Sequence, residues 1–334
     1  MTSPVRERWP FVAGSFLLLV AAVLAAPLMG SSRIDFTRVF DFGAPFAENV
    51  DAQIFFIARL PRALAAALVG ASLAAAGVVF QALLRNPLAT PYTLGVSTGA
   101  SLGAMLAITF GWTLPFLAMS AASAAALVGA MGSVLIVYWL ARARRAGLST
   151  TVLLLAGVTL NAFFSALILF LQYIGNFADV YRAMRWLMGN LDVSSYAPLA
   201  GALPFVLLAS GIFVWLARPL NLMAAGPEAA ESRGLNVQRT QRLAFFSASI
   251  VTGAAVSVGG PIGFVGIIVP HLVRLVAGAD HRIVLPAAAF TGGAFLVACD
   301  VVARTLIAPV ELPVGIVTAT IGGPFFLWML IRKN

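Results

Sequence analysis

The sequence predicts an all-α polytopic membrane protein of about ten transmembrane helices. Of 334 residues, 61% are hydrophobic and 10% are charged, whereas a soluble domain carries roughly 25% charged residues. Such a chain cannot cover its surface in water, and lipid is the solvent it suits. The few charges sit at the edges of apolar runs close to the roughly 20 residues that a helix needs to cross a bilayer. The intervals between runs are too brief for a soluble domain, so residues 1–334 read as a single transmembrane domain.

The runs follow in order. Phe11–Gly30 comes after Arg6 and Arg8, and Ala25-Ala26 near its end raises the alternative of a signal peptide. Its length and the many runs behind it favour a retained helix. Ala63–Leu84 begins where Arg59 and Arg62 flank Pro61. Thr93–Gly111 carries Gly95, Gly99, Gly103, Ala107 and Gly111, small residues four apart on one helix face. Helices associate in lipid by close packing, which such a stripe permits, and the same stripe would also make a smooth wall along a transport pathway. Phe116–Leu140, Val152–Tyr173 and Pro198–Leu216 follow. Leu243–Val258 and Phe264–Ala277 are short for spans. Val284–Val302 holds Asp300 near its outer end, and Pro313–Ile331 repeats the small stripe at Gly315, Ala319 and Gly323.

With the N-terminus in the cytoplasm, alternation through ten runs leaves Arg33, Arg38, Arg59, Arg62, Arg182, Arg185 and Arg304 outside. The other two-thirds of the 21 basic residues fall inside, a positive-inside bias with both termini cytoplasmic. Arg59, Arg62 and Arg304 oppose that rule; headgroup snorkelling or pairing with Asp300 accounts for them as well as a functional need for cations does. The net charge of +9 does not read as nucleic-acid binding, because the basic residues are scattered between apolar runs rather than clustered on a soluble face. Cys299 is the only cysteine, which leaves no disulfide framework and no cysteine metal site. His271 stands alone and reads as structural, and His281 as a loop residue. A faint echo links Gly77-Val78-Val79-Phe80 before Asn86-Pro87-Leu88 to Gly260-Pro261-Ile262-Gly263-Phe264 before Pro270-His271-Leu272, which suits inverted repeats of a transporter.

Longer motifs now carry a resemblance. They are Arg59-Leu60-Pro61-Arg62, Gln81-Ala82-Leu83-Leu84-Arg85-Asn86-Pro87-Leu88-Ala89, Leu94-Gly95-Val96-Ser97-Thr98-Gly99-Ala100, Trp186-Leu187-Met188-Gly189, Gly263-Phe264-Val265-Gly266-Ile267-Ile268-Val269-Pro270-His271-Leu272, and Glu311-Leu312-Pro313-Val314-Gly315. Together they resemble the FecCD-type permeases of ABC importers for iron siderophores, haem and cobalamin, over nearly the whole chain. The resemblance implies a type II ABC importer permease fold with inverted repeats. It also implies a homodimer with the pathway at its interface, two cytoplasmic ATPase subunits that bind ATP and Mg, and a periplasmic or lipid-anchored binding protein.

Residue by residue, the resemblance implies docking of the binding protein at Arg59, Arg62 and Arg304. Within residues 218–239 it implies an ATPase-coupling loop whose short helix, Glu228–Arg233, is framed by Gly226, Pro227 and Gly234 and carries Glu231 and Ser232. It implies a cytoplasmic gate at Asn86, Leu88, Ser149, Thr150 and Thr151. From the residues themselves, Asn86-Pro87 is a turn and Ser149 a helix N-cap. Trp186 reads as an interfacial anchor in a short outer helix.

No catalytic residue, resident cofactor or metal site is expected in this chain. A P-loop needs a lysine after its glycine-rich turn, and the sole lysine is Lys333. An ion-coupled secondary transporter is the remote alternative, but it would carry intramembrane carboxylates, and Asp300 is the sole acid inside a run. A membrane enzyme finds neither paired carboxylates nor a nucleophile with its base. The expected cargo is a bulky metal chelate, a ferric siderophore first, with haem and cobalamin open.

Overall fold

A computed structural model describes residues 8–30, 32, 34–41, 43, 45–114, 120–143, 150–193 and 195–332. The described residues form fourteen α-helices and no strand. They are α1 (Trp9–Ala25), α2 (Phe36–Val39), α3 (Val50–Gln53), α4 (Leu60–Leu84), α5 (Val96–Thr109), α6 (Ala121–Ala143) and α7 (Thr150–Ile174). Then come α8 (Phe177–Leu187), α9 (Ala197–Ala224), α10 (Pro227–Glu231), α11 (Val237–Gly259), α12 (Val265–Ala277), α13 (His281–Thr305) and α14 (Val314–Arg332). Seven of these segments are long and apolar enough to cross a membrane, and α5, α12 and α14 add three shorter apolar helices. The ten expected runs therefore all form helices.

Burial sorts the long helices into two groups. In α4 and α11, 78% of the most apolar window is buried, and in α13 67%. The figure is 22% for α1 and α9 and 28% for α7. The first group is the centre of the bundle; the second presents apolar side chains such as Leu17, Phe170 and Val214 to the surroundings. In water that surface would be untenable, and in lipid it costs little.

Glycine sets how closely the central helices cross. A Cβ on Gly77 would strike the Gly266 carbonyl, and one on Gly70 the Gly292 carbonyl, so α4 lies backbone to backbone against α12 and α13. Gly77 lies in the first of the two segments that echo each other in sequence, and Gly266 lies between Phe264 and Pro270 of the second, so the two meet at one of these crossings.

Several helices depart from the sequence reading. The seventh run starts at Val237 rather than Leu243, because the Asn236 side chain accepts from the Arg239 N–H at 2.9 Å and caps a polar first turn. The second is preceded by α3 and a π-helical turn, Ile54–Arg59, that lengthens it to Val50–Leu84. Phe264 is not helical: it caps α12 with φ +68°, a left-handed backbone that a phenylalanine rarely adopts. His281 is no loop residue but the first residue of α13, 6% exposed.

Candidate functional site

Polar side chains collect at the two ends of α13, which at 1.5 Å per residue is a rod of about 37 Å. At its C-terminal end the three arginines singled out from the sequence come together. They do so as a buried cluster: Arg59 is 6%, Arg62 8% and Arg304 3% exposed. Asp300, 1% exposed, accepts from Arg62 Nε at 2.9 Å and lies 3.3 Å from Arg304 Nε. Arg62 also reaches Glu311 at 2.5 Å, and Arg304 donates to the Ala26 carbonyl at 2.8 Å. Arg59 has no carboxylate partner among the described residues; it donates to the Pro27 carbonyl at 2.9 Å and to Ser32. Three guanidiniums against two carboxylates leave this cluster with a formal charge of +1.

These contacts follow from local sequence. Asp300 and Arg304 are one turn apart on α13 and share a face. Arg59 closes the π turn and Arg62 lies in the first turn of α4; Arg62 reaches Asp300 of α13, while Arg59 reaches the segment that follows α1. Backbone carbonyls beyond the last turn of α1 supply the remaining acceptors.

At the N-terminal end of α13, Asp280 caps the helix. Its carboxylate accepts from the Arg282 N–H at 2.9 Å and pairs with the Arg282 guanidinium at 2.6 Å. Asn221, at the end of α9, donates to Asp280 at 2.7 Å and accepts from the His281 N–H at 2.9 Å and from its ring Nδ1 at 2.7 Å. The Arg282 side chain above all, and then its N–H and Asn221, hold the Asp280 carboxyl below the usual carboxylate range, against the opposing effect of partial burial. The capping aspartate is legible before a helix. Its partner Asn221, 59 residues earlier, is not.

Five residues beyond Asn221 the chain turns at Gly226, with φ +111°, into α10. The expected Glu228–Arg233 helix is realised as Pro227–Glu231, with Pro227 at its start, and Gly234 at φ +79° turns the chain out of it. Ala230 is fully buried between Met223 and Val237, while Glu228, Glu231, Ser232, Arg233 and Gly234 face outward. A five-residue helix therefore rests on α9 and α11 and shows its charged side.

In the expected gate, Asn86 accepts from the Leu88 N–H at 2.9 Å, a side-chain turn that follows the left-handed Arg85, and Leu88 is exposed. Thr150 and Thr151 open α7, and Ser149 lies outside the described residues. Of the small residues, Gly99 and Gly103 abut the α6 backbone at Gly129 and Ala125, and Gly95 turns the chain into α5 with φ +79°. Gly315 abuts the Met188 carbonyl, whereas nothing lies within 4 Å of a Cβ on Gly323. The α5 stripe is thus a helix seam, and the far part of the α14 stripe is open.

A bundle of ten apolar helices, with ordered polar nodes at its two ends and a charged helical loop projecting from one of them, is the body of a polytopic transport protein. The chain belongs to the FecCD transport family, whose model matches residues 17–332. It is 45% identical over 89% of its length, and 78% of the relative's, to the cobalamin import system permease protein BtuC of Halobacterium salinarum. It is 38% identical over 95% of its length, and 94% of the relative's, to the hemin transport system permease protein HmuU of Yersinia pestis. A solved metal-chelate-type ABC transporter in an inward-facing conformation superposes with a TM-score of 0.82 at 32% identity, over 97% of this chain and 99% of that one. The chain is accordingly a multi-span membrane permease subunit of the ABC importer class.

Proposed function

We propose that two copies of this chain form the transmembrane pathway through which a bulky metal chelate is imported, with both termini in the cytoplasm of a bacterial inner membrane. Separate ATPase subunits bind ATP and Mg, and a periplasmic or lipid-anchored binding protein delivers the cargo. The near full-length match to permeases of chelate importers carries this reading. Among chelates, the 45% identity to a cobalamin permease moves cobalamin ahead of the ferric siderophore favoured by family frequency alone.

The exposed face of α10 and of Ser232–Gly234 supports an ATPase-contacting role for Gly226, Pro227, Glu228, Glu231, Ser232, Arg233 and Gly234. Asn221 ties the same helix end to the start of α13, so a push on α10 would be felt there. Asn86, Leu88, Ser149, Thr150 and Thr151 are assigned to the gate, because turns and helix starts can shift without unpacking a core. Binding-protein docking at Arg59, Arg62 and Arg304 is supported by the uncompensated charge of their cluster. A buried cation still sets the surface potential that steers an acidic partner. The open small face at Gly323 suits the pathway, where few strong contacts let cargo leave.

The test is uptake by the permease reconstituted with its ATPase and binding protein. ATP-dependent accumulation of labelled cobalamin, haem or ferric siderophore is expected for one of the three. Accumulation driven by a pH gradient without ATP would overturn the assignment in favour of ion coupling. Replacing Glu228–Arg233 by a Gly/Ser linker should leave ATP hydrolysis uncoupled from uptake, and normal uptake would remove α10 from the coupling role. Arg59→Gln should weaken binding-protein affinity at low salt and flatten its salt dependence; an unchanged salt dependence would remove the docking role.

A further inference from the structure

On the flank of the bundle, α1, α9 and α13 surround a cavity of 690 Å³ with Ala75 of α4 in its lining. Phe213, Leu285, Ala289 and Phe290 make its interior apolar, and Trp9 and Trp215 stand at its sides. Arg218 and Arg282 are its two cationic side chains. Along α13 the lining runs from His281 to Phe290, about 13 Å at 1.5 Å per residue. Along α9 it runs from Ser210 to Arg218, about 12 Å. That depth is close to half of a bilayer's roughly 30 Å hydrocarbon core, the thickness of one leaflet.

The charges are asymmetric. Both arginines belong to the end of the bundle that carries α10, and the rest of the groove has no ionisable side chain but His281. Arg282 is paired with Asp280, but Arg218 is exposed and makes no ion pair or hydrogen bond among the described residues. The two tryptophans, each about half exposed, suit the headgroup level, where an aromatic ring has one apolar and one wet side. An apolar channel one leaflet deep, closed at the headgroup level by an unpaired guanidinium, matches one kind of occupant. We propose that this groove binds an anionic diacyl phospholipid of the phosphatidylglycerol type. An acyl chain lies along Phe213, Leu285 and Phe290, and the phosphate sits between Arg218 and Arg282.

The site rests on the membrane setting and not on the identity of the cargo. Bound lipid would join the start of α1 to α9 and α13 beside Asn221, and so brace the helix that leads into α10.

Native mass spectrometry of the purified permease, released from mild detergent after addition of phosphatidylglycerol or phosphatidylcholine, tests it. Retention of phosphatidylglycerol at least tenfold above phosphatidylcholine is expected. Arg218→Gln should reduce that retention at least fivefold, and Ala289→Trp, which fills the groove, should abolish it. Arg142→Gln, an exposed arginine at the end of α6, should leave it unchanged. Equal retention of the two lipids, full retention by Arg218→Gln, or an equal loss in Arg142→Gln would overturn the proposal. So would displacement of the lipid by millimolar inorganic phosphate, which would assign the cations to a free anion. If Ala289→Trp fails to fold, Arg218→Gln, a change at an exposed side chain, still decides the matter.

Discussion

At the C-terminal end of α13, Asp300 holds Arg62 and Arg304 in a pocket where each of the three is under 10% exposed. At the N-terminal end, Asp280 and His281 meet the neutral amide of Asn221, and the Asp280–Arg282 pair remains partly open to solvent. Both ends join distant parts of the chain, yet they are built of different chemistry. Buried opposite charges fix position at a large desolvation cost, and they become strongly destabilising when one partner is lost. An amide bridging a cap to a neighbouring helix contributes modestly and can be broken and remade. The first is suited to an end that stays put, the second to an end that moves with α10. Each prediction below probes that contrast.

Asp300→Ala should have the largest effect, because it strands two buried guanidiniums. A loss of about 3–5 kcal/mol is expected, read as a lowered unfolding midpoint of the permease in detergent; an effect below 1 kcal/mol would mean that water reaches the cluster. Asn221→Ala leaves the His281 N–H without its acceptor and should cost about 1–3 kcal/mol. Its ATP-driven uptake should fall by more than its stability does, and a variant with normal uptake would deny the node a role in transmission.

Glu311→Gln touches only the solvent edge of the arginine cluster, since the Glu311 side chain is 41% exposed. About 0–1 kcal/mol is expected, and a cost like that of Asp300→Ala would show that Glu311 shares the burial of its partner. Asp300 and Asn221 sit near opposite ends of α13, nearly 30 Å apart by helical rise. Their substitutions should add in stability within about 0.3–0.5 kcal/mol. A larger coupling would show that α13 transmits strain at rest.

The smallest effect concerns pH. A carboxylate held below its ordinary value contributes stability in full above the unfolded value of about 3.9, and loses it as pH falls through the lower folded value. Asp280 is such a group. Exchange of the His281 amide, corrected for its intrinsic pH dependence, should be constant from pH 7 to pH 5 and accelerate only in more acid solution. Acceleration between pH 7 and 6 would remove Asp280 as the group that controls this end.

Much of this molecule was legible in the amino-acid order. Apolar runs of bilayer length yielded all ten helices, since lipid leaves a spanning backbone no option but internal hydrogen bonds. Pro227 and the two flanking glycines marked α10 to within two residues, and small residues four apart marked the α5–α6 seam. The weaker boundaries were those that depend on polar caps, as at Asn236, or on a wide turn, as at Ile54–Arg59.

What the sequence could not state is which residues far apart in the chain would meet. It singled out Arg59, Arg62 and Arg304 as cations at odds with the topology rule, and it placed Asp300 one turn before Arg304. That they are buried, that Arg59 is held by carbonyls beyond α1, and that Asn221 bridges to Asp280 and His281 were decided by how α1, α4, α9 and α13 pack. Helix formation is a local matter of apolar length and backbone hydrogen bonding. The state of a charge depends on everything the fold brings within a few ångströms of it.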